Sequence, residues 1–200
     1  MKEPCWYELS IPCDNAINPN WKFPDVTGKE FGVWAFPAFE IFSREWIQDL
    51  NKRGITVTES LVFYREPGHN THNAHLDIHR HHPVRISSFG LNMVIGGQDA
   101  PMTWYQLPAD FKTTKPTAGD AGTIYYNWPI NTLEEIDRHV LAENKLTMVR
   151  VGIPHTVIMK DQPRWCISAR AGTIEKMYWK DITKWMRDHD FLIERDSDVL

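Results

Sequence analysis

Six of the nine histidines fall within fourteen residues: His69, His72, His75, His79, His81 and His82. Such density raises the expectation of metal binding, while for any single one of these residues a place in a solvated, His-rich loop is the more common case. Only His75 has an acid two positions on, Asp77. In a strand, residues i and i+2 point to the same face, so one imidazole and one carboxylate converge. That pair is two-thirds of a facial two-histidine, one-carboxylate site, a ligand set that holds Fe(II) and leaves positions open for substrates and O2. The third ligand must come from elsewhere, and outside the cluster stand only His139, His155 and His189. His139 falls in a stretch of helical character and His189 lies near the end of the chain. His155 follows Gly152-Ile153-Pro154 and opens the β-branched run Thr156-Val157-Ile158. A strand start behind a rigid turn can aim a side chain accurately, so His155 is the expected third ligand.

The elements that must carry these residues are mostly short strands. Ile55–Tyr64 alternates and is rich in β-branched residues. Further strands are expected over Arg85–Ile95, Met102–Leu107, Thr123–Asn127, Thr147–Ile153, Thr156–Met159 and Trp165–Ala169. Pro67-Gly68, Gly96-Gly97, Pro101 and Asp161-Gln162-Pro163 separate them. Three helices are expected. Phe36–Gly54 places Phe39, Phe42, Trp46, Ile47 and Leu50 at helical spacing before the stop at Gly54. Leu133–Glu143 has Asn131 or Thr132 as its cap. Lys180–His189 carries Ile182, Trp185 and Met186 on one side. Residues 1–36, rich in Pro, Trp and Asn, read as an irregular arm. Together these imply a mainly β chain with flanking helices, a sandwich or jelly-roll barrel. It is expected as one domain over 1–200: arm and helix 1–54, barrel core 55–170 with an insertion at about 110–145, and a C-terminal helix in 171–200. The insertion is the expected lid and specificity element.

Composition narrows the function classes. The chain has 22 Lys and Arg against 26 Asp and Glu, a net charge of −4, so no basic excess points to nucleic acid. With 42% apolar residues it has ample core, which excludes disorder. Cys5, Cys13 and Cys166 are odd in number and unpatterned, fitting free thiols in a reducing compartment. No apolar run approaches the roughly 20 residues of a membrane span, and the first ten residues do not read as a secretory signal. A cytoplasmic protein without membrane attachment is the expectation.

His75-Leu76-Asp77 after Tyr64-Arg65-Glu66-Pro67-Gly68, the pair Leu91–Ile95 and Met102–Tyr105, and Val151–Val157 around His155 resemble, in that order, the Fe(II)- and 2-oxoglutarate-dependent oxygenases, small prolyl-hydroxylase-like or phytanoyl-hydroxylase-like members. The resemblance covers residues 55–170. It implies a double-stranded β-helix of jelly-roll, cupin-like form. It also implies a dioxygenase that hydroxylates a small molecule or peptide side chain and releases succinate and CO2. Fe(II), 2-oxoglutarate and O2 would be its cofactor and co-substrates. Asp77 argues against the halogenating relatives, in which a small residue replaces the carboxylate.

The resemblance also implies roles for further residues. Arg164, nine positions after His155, stands where family members place the basic residue for the far carboxylate of 2-oxoglutarate, which a guanidinium can hold by two parallel hydrogen bonds. Arg170 shares a face with Arg164, Cys166 and Ser168 in an unbroken strand, and is assigned to substrate, with the reverse assignment as the alternative. Some relatives carry Ser two residues after the arginine, where Cys166 stands here. Asn92, polar within an apolar strand, is a candidate to hydrogen-bond the other co-substrate carboxylate or one of the residues that ligate the metal. Tyr64 is a candidate for the same pocket, and either Trp104 or Tyr105 for the substrate wall. His79, with Arg80, His81, His82 and Arg85, forms a basic patch suited to the mouth of an anion's path. The rival readings are a cupin-type metal enzyme that needs no keto acid, and a non-catalytic metal- or ligand-binding barrel.

Overall fold

The computed structural model describes residues 3–78, 89–111, 115–119, 121, 123–171 and 178–194. Two antiparallel sheets of six strands each dominate it. The first sheet runs β1 (Trp6–Glu8), β10 (Thr147–Arg150), β5 (Phe89–Gly96), β12 (Arg164–Ala171), β3 (Val57–Arg65) and β2 (Phe31–Pro37), in that spatial order. The second runs β7 (Thr117–Ala118), β8 (Ile124–Pro129), β4 (Asn73–Ile78), β11 (His155–Val157), β6 (Met102–Tyr105) and β9 (Glu135–His139).

Strict alternation sorts the side chains of the first sheet. Val62, Leu91, Met93, Ile167 and Ala169 face outward into a core completed by the helices, where Leu50, Ile182 and Met186 are fully or almost fully buried. The helices α1 (Ala38–Ile41), α2 (Arg44–Lys52) and α3 (Trp179–Asp188) thus seal one face of that sheet. The other face looks toward the second sheet. Val94, Val149 and Cys166 there pack with Met102, Trp104 and Val151 to close one end of the sandwich.

Several segments differ from the expectation drawn from sequence. The stretch Leu133–Glu143 is not a helix: a single 3-10 turn, Ile130–Thr132, leads into β9. Glu134 and Glu135 are good helix formers, but β6 would otherwise present an unpaired edge. Residues Glu135–His139 supply its hydrogen-bond partners, with Thr103 opposite Arg138. Residues 110–145 are accordingly not an insertion outside the sheets, since their described parts give β7, β8 and β9 to the second sheet. The arm 1–36 is not wholly irregular either. Trp6–Glu8 pairs with β10, and Phe31–Pro37 pairs with β3 from Arg65 to Glu59.

Phe36–Gly54 divides into two helices. The chain extends at Phe42 and Ser43, and the Ser43 hydroxyl then accepts the Trp46 N–H at 3.2 Å, capping α2. Phe39, placed on the apolar face by spacing, is 71% exposed because that break rotates it away. Gly54 ends α2 with a positive φ of 81°, as the sequence predicts. The three cysteines are free thiols. Among the described residues no helix is long and apolar enough to cross a membrane.

Candidate metal centre

A cavity of about 530 Å3 lies between the two sheets. Its floor on the second sheet is β4 and β11. His75 and Asp77 lie two apart on β4, and His155 opens β11 directly opposite His75 in the pairing register. The His75 and His155 rings stand 4.3 Å apart between centroids. His75 Nε2 is 3.5 Å from Asp77 Oδ1. One donor atom from each of His75, Asp77 and His155 lies within 4.8 Å of the other two.

The backbone fixes these positions. The Asp77 N–H donates to the Val151 carbonyl at 3.1 Å, tying β4 to the turn that precedes His155. His155 Nδ1 lies 3.0 Å from the Ile153 carbonyl. An Nδ1–H donating there leaves the Nε2 lone pair for a cation, the usual way a ligating imidazole is oriented. Burial pushes His75 down to about 3, helped by the neighbouring His155 imidazole and opposed by Asp77. Burial also lowers His155, again opposed by Asp77. Both rings are therefore neutral at pH 7, as metal ligands must be.

The same shifts set a pH dependence. In the unfolded chain a histidine takes up its proton near 6.5. Below that pH the unfolded state binds protons that the native state refuses, so the metal-free protein loses stability as pH falls. Urea denaturation at pH 7.5 and pH 5 will show a lower midpoint at the acid pH. The fall will be smaller in His75→Gln.

The wall on the first sheet is built by β3, β5 and β12. Arg164, Cys166, Ser168 and Arg170 all face the cavity from β12, while Trp165, Ile167 and Ala169 do not. Arg170 Nη2 lies 3.8 Å from Asp77 Oδ2, which places this guanidinium beside the triad. Arg164 is 5% exposed and sits at the other end of the strand. Gly97 folds over it with a φ of 62°, and any Cβ there would fall 2.6 Å from Arg164 Cβ.

Sequence reasoning missed Arg65. It is the direct cross-strand partner of Arg164, lines the cavity, and its guanidinium lies 5.2 Å from the Phe31 ring centroid. Its Nη1 is buried without a hydrogen-bond partner among the described residues. Burial, and then the charge of Arg164, lower Arg65 to about 10. Burial also lowers Arg164. A buried guanidinium, Arg164, paired across the strands with the half-buried Arg65, and with no carboxylate bonded to either among the described residues, is a donor set that suits an anion. The signal was present in the alternation. If Tyr64 faces one side of β3, Arg65 faces the other.

The structure does not bring every candidate to the cavity. Tyr64 points to the opposite face of β3, its ring 4.8 Å from that of Trp165, and takes no part in the cavity lining. Trp104 is opposite His155 in the β11–β6 register but is fully buried in the closed end of the sandwich. Its Nε1 donates to the Arg150 carbonyl at 2.7 Å, so it is core rather than a substrate wall. Tyr105 is also buried and outside the lining. Asn92 does face the cavity from β5. His79, with His81, His82 and Arg85, lies outside the described residues. Tyr125 and Asn127 on β8, opposite Asp77 and His75 respectively, complete the lining beside the triad.

No family model matches the chain, and no curated protein matches it. One solved structure similar to it is the X-ray structure of E. coli ycfD, with a TM-score of 0.36 and 13% identity. The alignment covers 100% of this chain and 51% of that one, so the chain spans about half its length.

Proposed function

We propose that this protein is an Fe(II)- and 2-oxoglutarate-dependent dioxygenase, acting as a hydroxylase. The observation that carries the reading is the joint placement of His75, Asp77 and His155 on the floor of a cavity whose wall holds the buried Arg164 and its cross-strand partner Arg65. Two imidazoles and one carboxylate on one side are the donor set of a facial Fe(II) site. The paired guanidiniums suit a dicarboxylic co-substrate, for which a keto-acid-free cupin has no use.

The strand order supports a double-stranded β-helix. From β3 to β6 and again from β9 to β12, successive strands alternate between the sheets, and β7 and β8 between those runs both belong to the second sheet. The in-sheet orders β10-β5-β12-β3 and β9-β6-β11-β4 support the jelly-roll reading.

Fe(II) held there would supply the oxidative chemistry, coupling decarboxylation of the keto acid to attack on a substrate C–H bond. The chain's own residues do the rest. His75 and His155 offer neutral lone pairs, and Asp77 offers a carboxylate oxygen. Arg164 and Arg65 orient the co-substrate by its far carboxylate. Sheet packing around Val94, Met102 and Val151 limits water at the closed end.

The test is spectroscopic. Anaerobic protein mixed with Fe(II) and 2-oxoglutarate will develop the weak visible charge-transfer band of the chelated keto acid. The band will be absent in Asp77→Ala and will require more 2-oxoglutarate in Arg164→Ala. No band in the wild-type protein rejects the oxygenase reading and favours a keto-acid-free or non-catalytic barrel.

A further inference from the structure

We propose that Arg170, Asn92 and Ser168 form the substrate's anchor, and that the substrate is a small free acid with an N–H or O–H donor beside its carboxylate, as in an α-amino or α-hydroxy acid. The inference rests on reading the triad as the metal centre, and assigns the substrate class for that site.

Three polar groups converge on a point of bare backbone. Gly90 on β5 has no side chain, and a Cβ built there would lie 3.0 Å from Ser168 Oγ, 3.2 Å from Asn92 Oδ1 and 3.8 Å from Arg170 Nη1. A side chain at Gly90 would fill the cradle, and glycine leaves it open to a ligand. Asn92 is 8% exposed, yet its Oδ1 is buried without a hydrogen-bond partner among the described residues. Such an acceptor is costly unless something donates to it. Ser168 is 4% exposed beside it, on the neighbouring strand and in direct register.

The chemistry of the groups selects the ligand. Arg170 is held 3.8 Å from Asp77, beyond hydrogen-bond distance, so its N–H donors are not consumed by that carboxylate. A guanidinium with an adjacent hydroxyl donates to a carboxylate. The orphaned Oδ1 requires a donor, which an amine or hydroxyl next to the carboxylate supplies. An internal peptide residue has no such carboxylate on its backbone, so the cradle favours free acids over peptide segments. Position agrees. Arg164 and Arg170 are six residues apart on one strand face, roughly 20 Å of strand. The co-substrate seat and this cradle are therefore separate, and Arg170 is the one beside the triad.

Calorimetric titration of the metal-free protein with free L-amino acids and short 2-hydroxy acids, each paired with its amide, tests the cradle without catalysis. At least one free acid will bind, and its amide will bind at least tenfold more weakly. Arg170→Gln, Asn92→Leu and Gly90→Ala will each weaken that acid at least tenfold while unfolding cooperatively like the wild type. Binding of none of the acids overturns the proposal, and so does equal binding of acid and amide. Loss of the 2-oxoglutarate band in Arg170→Gln but not in Arg164→Gln also overturns it, by making Arg170 the co-substrate anchor. Failure of the oxygenase reading is seen separately, as absence of that band in the wild-type protein.

Discussion

His155→Ala will weaken Fe(II) or Co(II) binding at least 100-fold, about 3 kcal/mol. The expected loss is large because nothing replaces this ligand. His155 is 5% exposed, aimed by the Ile153 carbonyl, and directly opposite His75 on the next strand. Of the other two histidines outside the cluster, His139 is stacked on Trp6 at 3.3 Å on β9, and His189 caps the end of α3 against Trp185. His139→Ala therefore leaves the tight site unchanged and serves as the control. The histidine-rich segment at 79–82 can bind stray metal, so the tightest site must be resolved from any weak background. A variant with His79, His81 and His82 replaced together will lose only that background. Unchanged tight binding in His155→Ala would falsify the triad as a metal centre.

The parts of this site that depend on a two-residue period were readable in the sequence. His75 with Asp77, and Arg164 with Arg170, share a strand face as alternation requires. His155 was readable because Pro154 and the β-branched run fix a strand start. What alternation could not say was which face of a strand looks into empty space and which into core. Trp104 shares the inward direction with His155, yet it fills the closed end of the sandwich. Tyr64 fell on the outer face and Arg65 on the inner one, and only the β3–β12 register brings Arg65 against Arg164. β9 was hidden for a different reason. Its residues prefer a helix locally, and the unpaired edge of β6, a tertiary demand, overrides that preference. The break at Ser43 is likewise local chemistry, a capping hydroxyl, set inside a stretch whose apolar spacing runs on through it.

Arg65→Met is expected to make the ligand-free protein more stable while weakening its hold on 2-oxoglutarate. Arg65 and Arg164 face each other across paired strands, and each is kept from its ordinary pKa by burial. Removing the half-buried charge of this like-charged pair leaves no carboxylate orphaned, since neither guanidinium is bonded to one among the described residues. Methionine keeps apolar, polarisable volume beside the Phe31 ring that the guanidinium now faces. Replacing buried charge with packed apolar volume commonly stabilises by about 1–4 kcal/mol, and the lower part of that range applies to a side chain that is only partly buried. About 1–2 kcal/mol corresponds to a rise in Tm of roughly 2–8 °C for a chain of this size. The cost appears in binding. With one guanidinium left for the far carboxylate, 2-oxoglutarate affinity will fall about tenfold or more, which titration of the visible band reads directly. A lower Tm would mean that Arg65 has a stabilising partner. A higher Tm with unchanged affinity would remove Arg65 from the co-substrate seat. Stability gained with affinity lost identifies the arginine pair as a strained, preformed anion site, held in place by the fold for a ligand that neutralises it.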